Sequence, residues 1–113
     1  MLGFGKQAVA REIAVGDLKR LLENDAAIVV DVREPDEFAA GHIPGAANLP
    51  LSRFDPAFLP ETNGKLLVLN CAAGRRSAAA LAQCAKAGAP VDTHITGGFS
   101  AWQHARLPIA FGH

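Results

Sequence analysis

The chain has 113 residues, 50% of them hydrophobic and 19% charged, a balance that fits one small globular domain over residues 1–113 and excludes a disordered chain. Lysine and arginine number 11 and acidic residues 11, for a net charge of zero, which argues against nucleic acid as the main partner because phosphate contacts need surplus positive charge. Two cysteines, Cys71 and Cys84, are too few for a disulfide framework and point to a reducing compartment, taken as the cytoplasm.

The N-terminal stretch through Val15 has no long apolar run and no cleavage site, so no signal peptide and no membrane span are expected. Glu12 to Ala14 reads as a short strand. Val15-Gly16-Asp17 then opens a helix with Leu18, Leu21 and Leu22 on one face. Ala27 to Val32 is a β-branched apolar run and reads as a central strand. Pro35 to Ala40 starts with proline and acids, a helix N-terminus, and stops at Gly41. His42-Ile43-Pro44-Gly45 is a turn, because proline presets φ and glycine permits a positive one. Ala46 to Leu49 is a brief strand. Residues 50–64 hold three prolines and an Asn-Gly, a connection with one helical turn at most. Leu66 to Asn70 is the next strand, Arg76 to Ala87 a helix capped by Gly88, and Thr93 to Thr96 a last strand. Gly97-Gly98 turns into a helix carrying Phe99, Ala101 and Trp102, and Leu107-Pro108 ends the regular structure. Strands alternating with helices imply a parallel α/β sheet with its site at the carboxyl ends of the strands.

The chemistry concentrates at Cys71. It ends a strand and is followed by Ala72, Ala73, Gly74, Arg75 and Arg76 before the helix begins. Backbone N–H groups at a helix start are unsatisfied, and the positive end of the helix dipole lies there. Such a setting lowers a thiol from about 8.5 to roughly 3.5–7.5, so Cys71 reads as a nucleophile. Gly74 lets consecutive N–H groups face inward as an anion nest. Ser77 is placed to cap the helix, a structural role. Arg76 either aims at an anion or ties the loop to a carboxylate; Arg75 faces solvent. The sulfur is expected at a pocket floor with loop N–H groups converging on it.

Cys84 shares a helical stripe with Ala78, Leu81 and Ala85 and reads as core. It lies about 12 Å along the axis from Arg76, at ~1.5 Å per residue, whereas a disulfide needs Cα atoms within ~7 Å. Asp31, Arg33 and Glu37 sit at a strand end and the next helix start, where an Arg33–Glu37 ion pair would fix the loops around the site. His42 is expected to hydrogen-bond backbone within its turn. His94, His104 and His113 show no ligand spacing, so no metal site is expected. Gly97-Gly98 is either a close approach to the pocket wall or a simple turn.

Together these segments resemble the rhodanese-homology family of single-domain thiosulfate-type sulfurtransferases. The matching residues are Asp31-Val32-Arg33-Glu34, Gly41-His42-Ile43-Pro44-Gly45-Ala46, Cys71 through Ser77, and Gly97-Gly98-Phe99-Ser100-Ala101-Trp102, within about residues 10–108. The resemblance implies a rhodanese fold, a five-stranded parallel sheet flanked by helices, with the active-site loop at the carboxyl end of the central strand. It implies that Cys71 takes the outer sulfur of thiosulfate or a persulfide and passes it to a thiol, cyanide or a protein acceptor. Residues 72–76 would cradle the persulfide by backbone N–H groups, with no metal or organic cofactor. Family members that handle thiosulfate well often carry a basic residue just after the cysteine. Here Ala72 and Ala73 are apolar, which leaves the donor open. Two rivals stand beside this reading. A cysteine phosphatase or arsenate reductase needs five residues between cysteine and arginine, whereas four separate Cys71 from Arg76. A rhodanese-like binding or sulfur-relay module is the other.

Overall fold

The structure, a computed structural model, describes residues 10–113. The reading of residues 1–9 as free of a signal segment lies outside that range. Two five-residue runs set the architecture. In β2 (Ala27–Asp31) and β4 (Leu66–Asn70), nearly every residue is buried, as a strand covered on both faces requires. They pair in parallel with Asp31 opposite Asn70. The other strands are β1 (Arg11–Ile13), β3 (Ala47–Asn48) and β5 (Thr93–Ile95). All pair in parallel, in the order β1-β5-β4-β2-β3. The five-stranded sheet is thus the expected one, and β4 is its centre.

Side chains alternate along the strands, and the core divides accordingly. One face carries Val30, Val32, Leu67, Leu69 and Cys71 against Leu81 and Cys84 of α3 (Arg75–Ala87). The other carries Val29, Val68 and Ile95 against Leu18 of α1 (Val15–Glu23) and Phe99 and Trp102 of α4 (Gly98–His104). Each large apolar side chain buried this way contributes about 1.5–3 kcal/mol. The remaining helix is α2 (Pro35–Ala40), with Pro35 in its first turn and the Glu37 side chain accepting the Glu34 N–H at 3.0 Å.

Departures from expectation are local. Residues 50–64 hold two short 3₁₀ turns, Leu51–Arg53 and Pro56–Phe58, rather than one helical turn, since each proline restarts the chain at a fixed φ. Helix α3 begins at Arg75, one residue earlier than expected, because Gly74 takes the left-handed conformation at its N-cap. Regular pairing does not end at Pro108: Ala110 bridges His42 in antiparallel fashion. No described helix is long and apolar enough to cross a membrane.

Candidate active site

Strand β4 delivers Cys71 to the middle of the sheet's carboxyl edge, and the turn to α3 folds back over it. The Gly74 N–H donates to Cys71 Sγ at 3.0 Å. Gly74 reaches that position at φ 110°, which only glycine adopts readily. Ser77 Oγ lies 3.4 Å from the sulfur. Burial pushes the Cys71 thiol up. The Ser77 hydroxyl and the backbone N–H groups of Ser77, Gly74 and Ala73 outweigh it and hold the thiol below its ordinary value. Of the inward-facing N–H groups expected of the loop, that of Gly74 makes the hydrogen bond to the sulfur. Cys84, by contrast, is pushed up by burial alone, and both thiols are unpaired.

One expectation is corrected here. Cys71 is 1% exposed, so its sulfur lies under the loop and not on an open floor. A hollow of about 260 Å³ opens beside the loop, lined by Arg33, Glu37, Ala72, Phe99, Ser100 and Gln103. A larger one of about 590 Å³, between Pro60 and Pro90, has no cysteine or histidine in its wall.

The second correction concerns the ion pairs. Arg33 does not pair with the Glu37 carboxylate. Its Nε and Nη2 donate to Asp31 at 2.8–3.1 Å, both residues being buried. Nη2 also donates to the Gly41 carbonyl at 2.7 Å, and the guanidinium lies 4.4 Å over the Phe99 ring. Buried charge must be paired, and Asp31 is the carboxylate within the same buried layer. Glu37 instead takes Arg76 in a two-point contact of 2.7 and 3.0 Å. Of the two roles open to Arg76, tying the loop to a carboxylate is the one formed. Arg75 is exposed.

The Arg76 contact holds the Glu37 carboxyl down at about 2, against burial, with help from the Glu34 N–H. Folding therefore favours the ionised form. The resulting stabilisation is full above the ordinary value of 4.5 and is lost as pH falls through about 2. Arg76→Gln should return the Glu37 titration toward 4.5. A carboxyl NMR titration reads this directly, and an unmoved midpoint would mean that Arg76 does not hold Glu37 in solution.

Ser77 is not the helix cap. With α3 starting at Arg75, Ser77 falls in the first turn, is 1% exposed and turns inward. Its Oγ contacts the Gly74 carbonyl at 3.2 Å and His94 Nδ1 at 2.8 Å. His42 does bond backbone, with Nδ1 2.7 Å from the Phe38 carbonyl, and it stacks on the Phe38 ring. Its contacts run to α2 and Ala110 rather than to the Cys71 loop. Gly97-Gly98 is the close approach: the Phe99 and Ser100 N–H groups donate to the Cys71 and Ala72 carbonyls at 2.8 and 2.9 Å. Among the described residues no group of three His, Cys, Asp or Glu side chains is placed to hold a metal.

His94 was missed by sequence reasoning. It stands opposite Leu69 in the β4–β5 pairing and so shares the sheet face of Cys71. The available signal was a histidine between Thr93 and Ile95 in a buried strand.

The family model described as rhodanese-like domain matches residues 14–105. An uncharacterized protein of Synechocystis is 48% identical over 96 residues, 85% of this chain and 54% of that protein. A sulfurtransferase of Allochromatium vinosum is 32% identical over 91 residues, 80% of this chain and 85% of its own. Among solved structures, a rhodanese-related protein from Thermoplasma volcanium superposes with a TM-score of 0.74 at 32% identity, covering 88% of this chain and 97% of that one. The chain spans about half the length of the first curated relatives it matches.

Proposed function

This chain belongs to the rhodanese-like domain family, and from that premise we propose that it is a sulfurtransferase working through a Cys71 persulfide. The observation that carries the reading is the convergence of the Gly74 N–H and the Ser77 hydroxyl on Cys71 Sγ, with the thiol held below its ordinary value. The Cys71 thiolate attacks the outer sulfur of thiosulfate or of a persulfide. A new S–S bond forms, the donor's own bond to that sulfur breaks, and sulfite or a thiolate leaves with the electron pair. The negative charge now on the outer sulfur is met by fixed loop N–H groups, which need no reorganisation as the charge arrives. An acceptor thiolate or cyanide then attacks the outer sulfur and Cys71 leaves as thiolate. The acceptor is a small thiol, cyanide or a protein thiol. The cycle needs no metal or organic cofactor. Two free thiols suit the cytoplasm.

Phosphatase-type chemistry is less well served. Such a loop must wrap a tetrahedral oxyanion and present a free guanidinium to it. Only four residues separate Cys71 from Arg76, and Arg76 is already committed at two points to Glu37.

The test is intact mass after brief exposure to thiosulfate, and separately to a low-molecular-weight persulfide. A gain of one sulfur atom is expected, removed by cyanide and missing in Cys71→Ser. No gain from either donor would overturn the reading.

A further inference from the structure

Cys71 is buried, yet its thiol must lose a proton before it can attack. No water-exposed base touches the sulfur in the described contacts. Besides the Gly74 N–H, what touches it is the Ser77 hydroxyl, 3.4 Å away, and Ser77 Oγ in turn sits 2.8 Å from His94 Nδ1. The His94 side chain is 7% exposed. It lies directly beneath the loop, since a Cβ built on Gly74 would meet its Cε1 at 3.9 Å. Its other nitrogen, Nε2, points to the sheet edge, where Glu12 Oε2 stands 3.8 Å away on a carboxylate that is 59% exposed. Register explains the line: Glu12 is paired with His94 across β1–β5, and Leu69 with His94 across β4–β5.

We propose that His94 is a positioning residue for the nucleophile, a proton holder that takes the Cys71 proton through Ser77 and shares its charge with Glu12. The inference deepens the sulfurtransferase reading and rests on Cys71 being the reacting thiol. In the step, the Cys71 S–H proton passes to Ser77 Oγ while Ser77's own proton passes to His94 Nδ1. The hydroxyl is regenerated, a thiolate and an imidazolium result, and nothing is oxidised or reduced. The imidazolium then carries N–H at both nitrogens, one toward Ser77 and one toward Glu12. Ser77 is free to donate to the sulfur only while His94 donates to Ser77, so the orientation that supports the thiolate is the one with Nδ1 protonated. The Gly74 carbonyl, 3.2 Å from Ser77 Oγ, competes for the hydroxyl in the other orientation.

The charged groups around this line are few. From β1 the facing charge is Glu12. From α3 it is Arg76, whose guanidinium is held by Glu37 but still senses Cys71; Arg75 is exposed. From β4 the neighbours are Leu69 and the uncharged Asn70.

The test follows thiolate ultraviolet absorbance against pH, taken as the difference between each variant and its Cys71→Ser counterpart. Asparagine at position 94 can keep a donor toward Ser77 but cannot take a proton. His94→Asn is expected to reduce the thiolate fraction at neutral pH about three- to tenfold. Ser77→Ala should do the same, and the double variant should lose no more than either alone, because one path is cut twice. A His94→Asn profile that overlays the wild type, or additive losses in the double variant, overturns the proposal. Should His94→Asn fail to fold, the ring resonances of His94 in the wild type decide. They should follow the Cys71 step by NMR and lose that step in Cys71→Ser; a ring indifferent to Cys71 also overturns it. None of these readouts requires sulfur transfer, so failure of the persulfide assay and failure of the relay are separate results.

Discussion

Asp31→Ala should destabilise the protein by about 3–5 kcal/mol, the usual effect of removing one partner from a buried ion pair. Asp31 is fully buried and Arg33 is 5% exposed. The carboxylate accepts from the Arg33 backbone N–H at 2.9 Å as well as from the guanidinium. Deleting it leaves a guanidinium against Phe99 with only the carbonyls of Gly41 and Glu37 to receive it. The arginine cannot shed its proton to escape, since its charge persists at any ordinary pH. Urea unfolding should show a lower midpoint at unchanged slope. Replacing both residues, Asp31→Ala with Arg33→Met, should recover much of the loss, because no orphaned charge remains. The exposed pair Lys19–Glu23 on α1 provides the contrast: Glu23→Ala should change stability by less than about 1 kcal/mol. A loss for Asp31→Ala as small as that would mean that Arg33 finds water in the variant, and that the pair does not fasten α2 to the sheet.

What could be read from the sequence was whatever depends on neighbours along the chain. The apolar run Leu66–Asn70, the glycine at 74 and the alanine-rich stretch beyond it specify strand, turn and helix locally, so the place of Cys71 at a strand end was legible. So was the Gly88 cap, which takes the left-handed conformation. Pairings that depend on the sheet order were not. Arg33 and Glu37 have the spacing of helix neighbours, yet Arg33 precedes α2 and folds back on Asp31. Glu37 reaches Arg76, 39 positions away, because β2 and β4 are adjacent and bring their following helices together. His94 was invisible for the same reason: its meaning comes from lying in the strand next to β4, which spacing does not reveal. Ser77 lies three residues past the true N-cap, Gly74, inside the first turn of α3. Starting α3 at Arg75 turns an expected cap into a buried hydroxyl facing sulfur. The resemblance to a family supplied a five-stranded parallel sheet with the loop at its central strand, but neither the full strand order nor the partners of these particular side chains.

Gly98→Ala should damage the loop more than substitution of any other glycine among the described residues. At φ 61° an alanine is strained by about 1–2 kcal/mol. Its Cβ would also sit 2.5 Å from the Cys71 carbonyl oxygen and 2.7 Å from that of Ala72. These are backbone atoms, and they accept the Phe99 and Ser100 N–H groups, so they cannot move away without pulling the first two residues of the loop. The expected result is a loss of about 3 kcal/mol or more in stability, the strain and the clash together. A fall of order 10²-fold in sulfur transfer should accompany it, since a displacement near 1 Å at the nucleophile is enough for that. Gly45→Ala isolates the strain. Gly45 has φ 83° and nothing within 4 Å of its would-be Cβ, and it lies in the Pro44-Gly45 turn, outside the Cys71 loop. It should lose about 1–2 kcal/mol with transfer unchanged. Gly97→Ala falls between, as its Cβ would meet the Ala101 side chain at 2.9 Å rather than the loop backbone. If Gly98→Ala matched Gly45→Ala in both stability and turnover, the contact between the start of α4 and the Cys71 loop would not be what holds the sulfur in place. The N–H groups converging on it would then have to be set by the β4–α3 turn alone.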